Sequence, residues 1–354
     1  MNRSLALIGL GVLLLAGSAA LADMGGSTIY FNFPGKLLTW DPVNLKQYVG
    51  PEAGQFWTWK ASGDHHDTGA AGTGSVMDLA FDTNGRLFAV NSWDNVVGDA
   101  GSFWQVDPDT AEVLFKTCTY LNLATADPAD TVKIPTKVNA LSNFGPGKFY
   151  AAVDGGSQSA AGNGHLLEWT WDGANLAGYD RGAYHDADAE PQFISYRSNG
   201  TSNGTNWNFV STGDLWQWNN TLYATMTITD ADNAAEIRYV LVTVAPSNAE
   251  VDFVAELDPW SHANINDHSN VNGGHKFDAL VNWGDNVGMI RDDGYLIYWD
   301  GANLINSGID VGCTDIVGGT VEPVPVPAPG AAILGLLGLG MVKFIARRSR
   351  KVQA

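Results

Sequence analysis

The chain between residues 23 and 321 is a series of short apolar runs separated by Gly, Asn and Asp turns. Residues 76–81 (VMDLAF) and 86–90 (RLFAV), joined by the turn at 82–85 (DTNG), are typical. No stretch of this region keeps an apolar period of 3.6 residues, so long helices are not expected in it. Short runs rich in β-branched and aromatic residues, bounded by turn residues, predict antiparallel hairpins.

The hairpins recur in pairs, so that one repeating unit holds four strands. The units begin near residues 76, 138, 209 and 277. The hexapeptide Trp-Asp-Gly-Ala-Asn-Leu occurs at Trp171–Leu176 and again at Trp299–Leu304, at equivalent places in two units. Four-stranded antiparallel units in tandem are typical of a β-propeller.

The two ends of this region are expected to complete one more blade. Residues 27–48 look like an incomplete unit, and residues 313–321 supply a single strand that would close the ring against them. We therefore predict an all-β protein, a β-propeller of about five four-stranded blades. A β-sandwich is the alternative architecture.

Residues 1–22 have the organisation of a signal peptide. Arg3 gives a short positive region, residues 5–16 an apolar core, and Ala20 and Ala22 a small-residue cleavage pattern before Asp23. The sequence therefore predicts export with cleavage after Ala22, and an uncleaved anchor helix is the alternative.

The C-terminal segment has three parts. In residues 322–329 proline alternates with other residues, which predicts an extended linker because each ring fixes φ and removes a donor. Residues 330–346 contain a single charged residue, Lys343, and form an apolar run at the short end of what spans a bilayer. A basic cluster at 347–351 follows, as on the cytoplasmic side of a membrane helix. We predict a transmembrane helix with a basic end in 330–354; a buried helix of the body is the alternative.

This layout resembles the PEP-CTERM sorting tail of exported bacterial proteins, in which a Pro-Glu-Pro motif precedes a short membrane helix and an arginine cluster. The corresponding residues here are Pro325, Val326, Pro327, Pro329, Arg347 and Arg348. Val326 stands at the family's glutamate position. The resemblance implies processing by exosortase, a membrane protease-transpeptidase, and transit through the inner membrane to the cell surface or extracellular matrix.

The charge of the exported part is strongly negative. The chain of 354 residues has a net charge of −19, with 19 basic and 38 acidic residues. Six basic residues and no acidic residue lie in 1–22 and 330–354, so 13 basic residues face all 38 acidic ones elsewhere, a net charge of −25. Such a body repels nucleic acid and anionic membrane surfaces. Nucleic acid is therefore not an expected partner, and contact with the membrane is expected through the C-terminal helix.

Candidate metal ligands are densest at Asp64, His65, His66 and Asp67. Two imidazoles with carboxylates suit zinc or another transition metal, although the flanking glycines favour an unliganded surface loop. A second polar patch holds His262, Asp267, His268 and His275. The acidic runs at 186–190 and 230–232 lack the glycine of a calcium loop, so only weak calcium binding and no dedicated cofactor are expected.

Other candidate groups are few. Cys118 and Cys313, both in the exported part, could form one disulfide. Five tryptophans could act as stacking platforms for sugar rings, but packing between blades is the favoured interpretation. They are Trp57, Trp59, Trp207, Trp216 and Trp218.

The absence of a serine elbow, a Walker loop and an HExxH motif leaves the chain without a catalytic signature. We therefore expect a non-enzymatic binding or structural propeller for polysaccharide or other surface components. The alternative is a metal-dependent hydrolase or lactonase whose ligands converge in the propeller channel.

Overall fold

A computed structural model describes most of the body of the chain, in segments. The described residues are 29–33, 36–41, 46–48, 57–58, 60–61, 76–94, 100–108, 112–118, 121–124, 131–134, 138–154, 163–173, 176–186, 207–230, 237–261, 274–311, 316 and 318–321. The predicted signal peptide with Ala20 and Ala22, the sorting tail from Pro325 to Arg348 and the predicted terminal helices lie outside them.

The described residues form strands and one short helical turn, as the hydrophobic pattern predicts. The strands are β1 (Ile29–Phe33), β2 (Lys36–Asp41), β3 (Lys46–Tyr48), β4 (Trp57–Thr58), β5 (Lys60–Ala61), β6 (Val76–Phe81), β7 (Leu87–Asp94), β8 (Ala100–Val106), β9 (Glu112–Cys118), β10 (Leu121–Ala124), β11 (Thr131–Ile134), β12 (Val138–Asn143), β13 (Lys148–Val153), β14 (His165–Trp171), β15 (Leu176–Ala183), β16 (Trp207–Trp218), β17 (Thr221–Asp230), β18 (Ile237–Val244), β19 (Val251–Glu256), β20 (Phe277–Trp283), β21 (Asn286–Arg291), β22 (Tyr295–Trp299), β23 (Leu304–Asp310) and β24 (Gly318–Val321). The single helical turn is Asp258–Trp260. No helix within the described segments has the length and apolarity needed to cross a membrane.

Four of the sheets are blades made of four strands consecutive along the chain. We name them sheet A (β6–β9, with β5 added at its edge), sheet B (β12–β15), sheet C (β16–β19) and sheet D (β20–β23). In each of them the four consecutive strands pair antiparallel with their chain neighbours. The expectation of about five such blades is thus corrected to four blades of tandem strands.

A closing sheet combines the two ends of the body. Strand β24 pairs antiparallel with β1, from Ile29 opposite Val321 to Asn32 opposite Gly318, and β2 and β3 extend the sheet. Because its strands come from two pieces far apart in sequence, it is not a tandem unit. Closure of the ring by the last strand against the first segment is confirmed.

The innermost strands of the four blades and of the closing sheet surround a common centre. They lie side by side in the cyclic order β6, β12, β16, β20, β24 and back to β6. Between β6 and β24 the Phe81 N–H donates to Thr320 Oγ1 at 3.3 Å. This cyclic order defines a propeller and excludes the alternative of two facing layers.

The repeated hexapeptide connects equivalent strands in two blades. Trp171 ends β14 and Leu176 begins β15, and Trp299 ends β22 and Leu304 begins β23. Each turn contains a glycine with positive φ, +99° at Gly173 and +95° at Gly301, a conformation that glycine adopts without steric cost. The identical letters therefore mark equivalent positions, between the third and fourth strands of sheets B and D.

Apolar side chains fill the spaces between neighbouring sheets. Between sheets A and B, Phe88 and Phe149 make an edge contact with ring centroids 5.0 Å apart, and Phe103 meets Trp169 at 5.6 Å. Both Phe88 and Phe103 are fully buried. This packing accounts for the aromatic content of the repeated runs.

Candidate functional site

The innermost strands of the four blades share one kind of irregularity. In each strand a β-bulge shifts the pairing register. The shifts lie between Val76 and Asp78, Val138 and Ala140, Thr212 and Asp214, and Phe277 and Ala279. The residue after the bulge is therefore Asp78, Ala140, Asp214 and Ala279 in successive blades.

Asp78 joins sheet A to sheet B. Its side chain is fully buried; Oδ1 accepts a hydrogen bond from the Leu79 N–H at 2.7 Å, and Oδ2 accepts one from the Leu141 N–H at 2.5 Å. Leu141 lies on β12, the innermost strand of the next blade. The carboxyl group thus satisfies a buried backbone donor of its neighbour, which would be costly to leave unpaired.

Asp214 repeats this arrangement between sheets C and D. It is also fully buried, and its oxygens accept hydrogen bonds from the Leu215 N–H at 2.6 Å and the Leu280 N–H at 2.5 Å. Its own N–H donates to Thr225 Oγ1 at 3.1 Å, and that hydroxyl donates to the Phe277 carbonyl at 2.6 Å. Asp214 is therefore part of a buried network that connects two blades.

The two carboxyl groups also hydrogen-bond to each other across the ring, and we call them the axial pair. Burial raises the pKa of both well above the ordinary value, and the charge and hydrogen bond of Asp214 raise the pKa of Asp78 further. Two carboxylates in contact in a dry site cannot both ionise readily. The axial pair therefore favours retention of a proton.

Asp278 occupies the bulge position of β20, one residue before the alanine of that strand. It lines a small pocket between sheets C and D with Gly213, Thr225, Tyr239 and Lys276. Burial is the main cause that raises the pKa of Asp278 to about 7; the Lys276 charge opposes the rise, and Asp292 and Asp154 add to it. Burial likewise raises the pKa of Tyr239 to about 12.

His275 is the described member of the second polar patch. His275 Nδ1 lies 2.6 Å from Asp292 Oδ1, and Nε2 lies 3.6 Å from Asp293 Oδ2. Among the described residues, these three form the cluster whose side chains could together hold a metal ion, since their ligand atoms lie within 4.8 Å of one another. The buried Arg291 guanidinium hydrogen-bonds to both oxygens of Asp293 and would repel a cation there. His262, Asp267 and His268 lie outside the described residues.

The remaining sequence candidates divide between packed residues and residues outside the description. Trp207 is 7% exposed, and Trp216 and Trp218 pack against the core between sheets C and D, with Trp216 Nε1 donating to Asn282 Oδ1 at 2.9 Å. These three indoles are therefore packing residues, which is the interpretation that the sequence favoured over sugar stacking. Asp64, His65, His66, Asp67, Trp59, Cys313 and the side chains of Trp57 and Cys118 lie outside the described part.

A further group of charged and aromatic residues lies on sheet B, and we call it the Glu168 patch (Lys148, Tyr150, Glu168, Tyr179, Arg181). Lys148 Nζ lies 2.9 Å from Glu168 Oε1, and Arg181 donates from Nε to Oε2 at 2.9 Å and also from Nη2. Tyr150 and Tyr179 lie opposite Glu168 on the two neighbouring strands. Burial alone would raise the pKa of Glu168, but the hydrogen bonds and charges of both cations lower it.

Neither the axial pair nor the Glu168 patch is predicted by the sequence patterns described above. A signal for the pair is present, because the dipeptide Asp-Leu occurs in an innermost strand at 78–79 and again at 214–215. An aspartate is depleted in strands, and its repetition at the start of two units marks a special role. The Glu168 patch has no such signal, because its residues come from three different strands.

Comparison with known proteins identifies no family. No protein-family model matches the chain, and no curated protein matches it. A protein of unknown function from Bacteroides caccae has 8% identity and a TM-score of 0.38, over 84% of this chain and all of that one. The Trypanosoma rangeli sialidase has 9% identity and a TM-score of 0.36, over 66% of this chain and 37% of the sialidase.

A GH43 β-1,3-galactosidase has 10% identity and a TM-score of 0.36, over 74% of this chain and 51% of the enzyme. The match thus covers well under two thirds of the length of either glycosidase. At these identities and scores, none of the similarities carries an argument about the chemistry of this chain.

Proposed function

We propose that the protein is an exported, non-enzymatic propeller that binds or organises polysaccharide or other components at the cell surface or in the extracellular matrix. An exosortase-type enzyme would process its C-terminal tail during passage through the inner membrane. The predicted signal peptide, the PEP-CTERM-like tail and the acidic body support this route.

The observation that carries the non-enzymatic part of the proposal is the state of the axial pair. Asp78 and Asp214 are both 0% exposed, and all four of their carboxyl oxygens accept main-chain N–H groups. A catalytic carboxyl group must reach the substrate. These two instead hold blades together, which leaves the surfaces of the propeller for binding.

The test combines fractionation with binding. The full chain is expressed in a bacterium that has an exosortase, and the mass of the mature protein is measured in the membrane, surface and medium fractions. We expect loss of residues 1–22 and of the tail, and retention of the mature protein by exopolysaccharide from the same host. A mature protein that is found inside the cell, or that ignores this material, contradicts the proposal.

A metal-dependent hydrolase or lactonase is the second candidate, and the Asp278 pocket is the observation that favours it. A carboxyl group with a pKa of about 7 beside a lysine suits general acid–base chemistry. The test measures hydrolysis of ester, lactone and glycoside substrates by the full chain with added Zn²⁺ or Ca²⁺. Activity that Asp278→Asn removes supports this candidate. An activity that survives in Asp278→Asn contradicts it.

A further inference from the structure

The Glu168 patch includes an exposed aromatic ring. Tyr179 is 45% exposed. Among the described residues, the large hydrophobic side chains that are exposed are those of Tyr179 and of Leu114, which lies on sheet A and is 52% exposed. The Arg181 guanidinium carbon lies 5.9 Å from the centroid of the Tyr179 ring. A flat ring open to solvent beside a planar cation can hold the apolar face of a sugar ring.

The patch is positively charged although the body is strongly negative. Its two cations, Lys148 and Arg181, face one carboxylate, Glu168, which is 8% exposed. Because the hydrogen bonds from these cations outweigh burial, Glu168 keeps its charge at neutral pH and the group carries one net positive charge. Such a local excess of positive charge favours an anionic ligand.

The buried carboxylate also fixes the cations in place. Arg181 uses Nε and Nη2 on Glu168 Oε2, and Nη1 takes part in neither of these contacts. Lys148 Nζ lies 5.4 Å from the Tyr150 ring centroid while it contacts Glu168 Oε1. A preorganised guanidinium loses little conformational freedom when it binds a second carboxylate.

We propose that the Glu168 patch binds an acidic polysaccharide, with a uronate ring stacked on Tyr179 and its carboxylate bound by Arg181. This inference rests on the proposed function and specifies the class of its ligand. The neighbouring acid Asp180 is paired with His165, whose Nδ1 lies 3.0 Å from Asp180 Oδ2. Charges farther away than about 8 Å are screened at physiological ionic strength. The short-range contacts with the patch therefore decide the binding.

The experiment measures binding of the full chain to polygalacturonate and to its fully methyl-esterified form at physiological salt. The two polymers have the same sugar backbone and differ in charge. We expect binding to polygalacturonate, loss of about tenfold or more in affinity for Tyr179→Ala, and a similar loss for Arg181→Gln. Leu114→Ala, which removes an exposed apolar side chain on sheet A, is the matched control and should bind as the parent does.

Equal binding of the methyl ester, or unchanged affinity in Tyr179→Ala, overturns the proposal. Tyr179→Ala removes an exposed ring, so thermal unfolding should confirm that the variant is folded. Arg181→Lys keeps the positive charge and removes the planar guanidinium, so it separates the effects of the two. If neither polymer binds but neutral exopolysaccharide of the host still does, only this inference fails. If no surface material binds at all, the proposed function fails with it.

Discussion

The axial pair and the Glu168 patch both contain buried carboxyl groups, but their partners differ in kind. Asp78 and Asp214 contact each other and accept hydrogen bonds from four main-chain N–H groups. Glu168 is held by the charged groups of Lys148 and Arg181. The pKa of the axial carboxyl groups is raised, and the pKa of Glu168 is lowered.

This comparison shows that burial alone does not decide the charge of a carboxyl group. Burial favours the neutral acid at all three residues. Backbone dipoles compensate for it only in part at the axial pair, whereas two cations more than compensate for it at Glu168. The axial pair is therefore suited to joining blades, and the Glu168 patch is suited to presenting cations at the surface.

The largest effect is expected when an axial carboxyl group is removed. Asp214→Ala leaves the buried N–H groups of Leu215 and Leu280 without their acceptor, at about 1–3 kcal/mol each. We expect the free energy of unfolding to fall by roughly 3 kcal/mol or more in urea titrations. Asp252→Ala, at an exposed position on β19 of the same sheet, is the control. If the two changes lower the free energy of unfolding equally, Asp214 does not hold the two blades together.

A smaller loss is expected when the hydroxyl group that supports Asp214 is removed. Thr225→Val removes the hydroxyl that accepts from the Asp214 N–H and donates to the Phe277 carbonyl, and should cost about 2 kcal/mol. Thr225→Ser keeps the hydroxyl and loses one methyl group, worth about 1 kcal/mol of packing. Chemical denaturation of both variants should rank valine below serine, and the opposite order would show that methyl packing, not hydrogen bonding, matters there.

Removal of one cation from the Glu168 patch should have a weaker effect. Arg181 is partly exposed, so Arg181→Gln should lower the free energy of unfolding at pH 7 by only about 1 kcal/mol. The remaining partner, Lys148, still neutralises Glu168. If the free energy of unfolding falls as much as in Asp214→Ala, the patch stabilises the fold as strongly as the axial pair does.

The stability of the protein should also change slightly with pH, with opposite signs at the two sites. The raised pKa of the axial carboxyl groups adds stability that is complete below the ordinary value of 3.8 and is lost as the pH rises through their folded-state values. The lowered pKa of Glu168 adds stability that is present above 4.5 and is lost as the pH falls through its folded-state value.

The unfolding free energy of Asp78→Asn and Glu168→Gln, measured from pH 3 to pH 9, checks these signs. Asp78→Asn should reduce the loss of stability on the alkaline side, and Glu168→Gln should reduce the loss on the acidic side. Asp252→Asn, at an exposed position on β19, is a control for a general charge effect. Slopes that change in the same direction for both variants would contradict the comparison.

Much of the architecture could be predicted because it depends on short-range patterns. The turn at 82–85 is one example: Asp82 Oδ1 accepts the N–H groups of Asn84 and Arg86, both at 2.9 Å, and Gly85 takes the positive φ. Such turns join adjacent strands whatever the rest of the chain does. The number of tandem blades was harder to predict, because the end segments resemble part of a unit until their long-range pairing is known.

The sequence by itself determined the strand-rich body, its repeated hairpins, the closure of its ends and its negative charge, because periodicity, turn chemistry and charge are local or additive properties. Only the tertiary structure decided which polar residues act together. Asp78 and Asp214 are 136 positions apart in the sequence and meet because bulges in two innermost strands direct both carboxyl groups to one place. Whether a carboxyl group then meets another acid or a cation depends on contacts between strands, which no local pattern records.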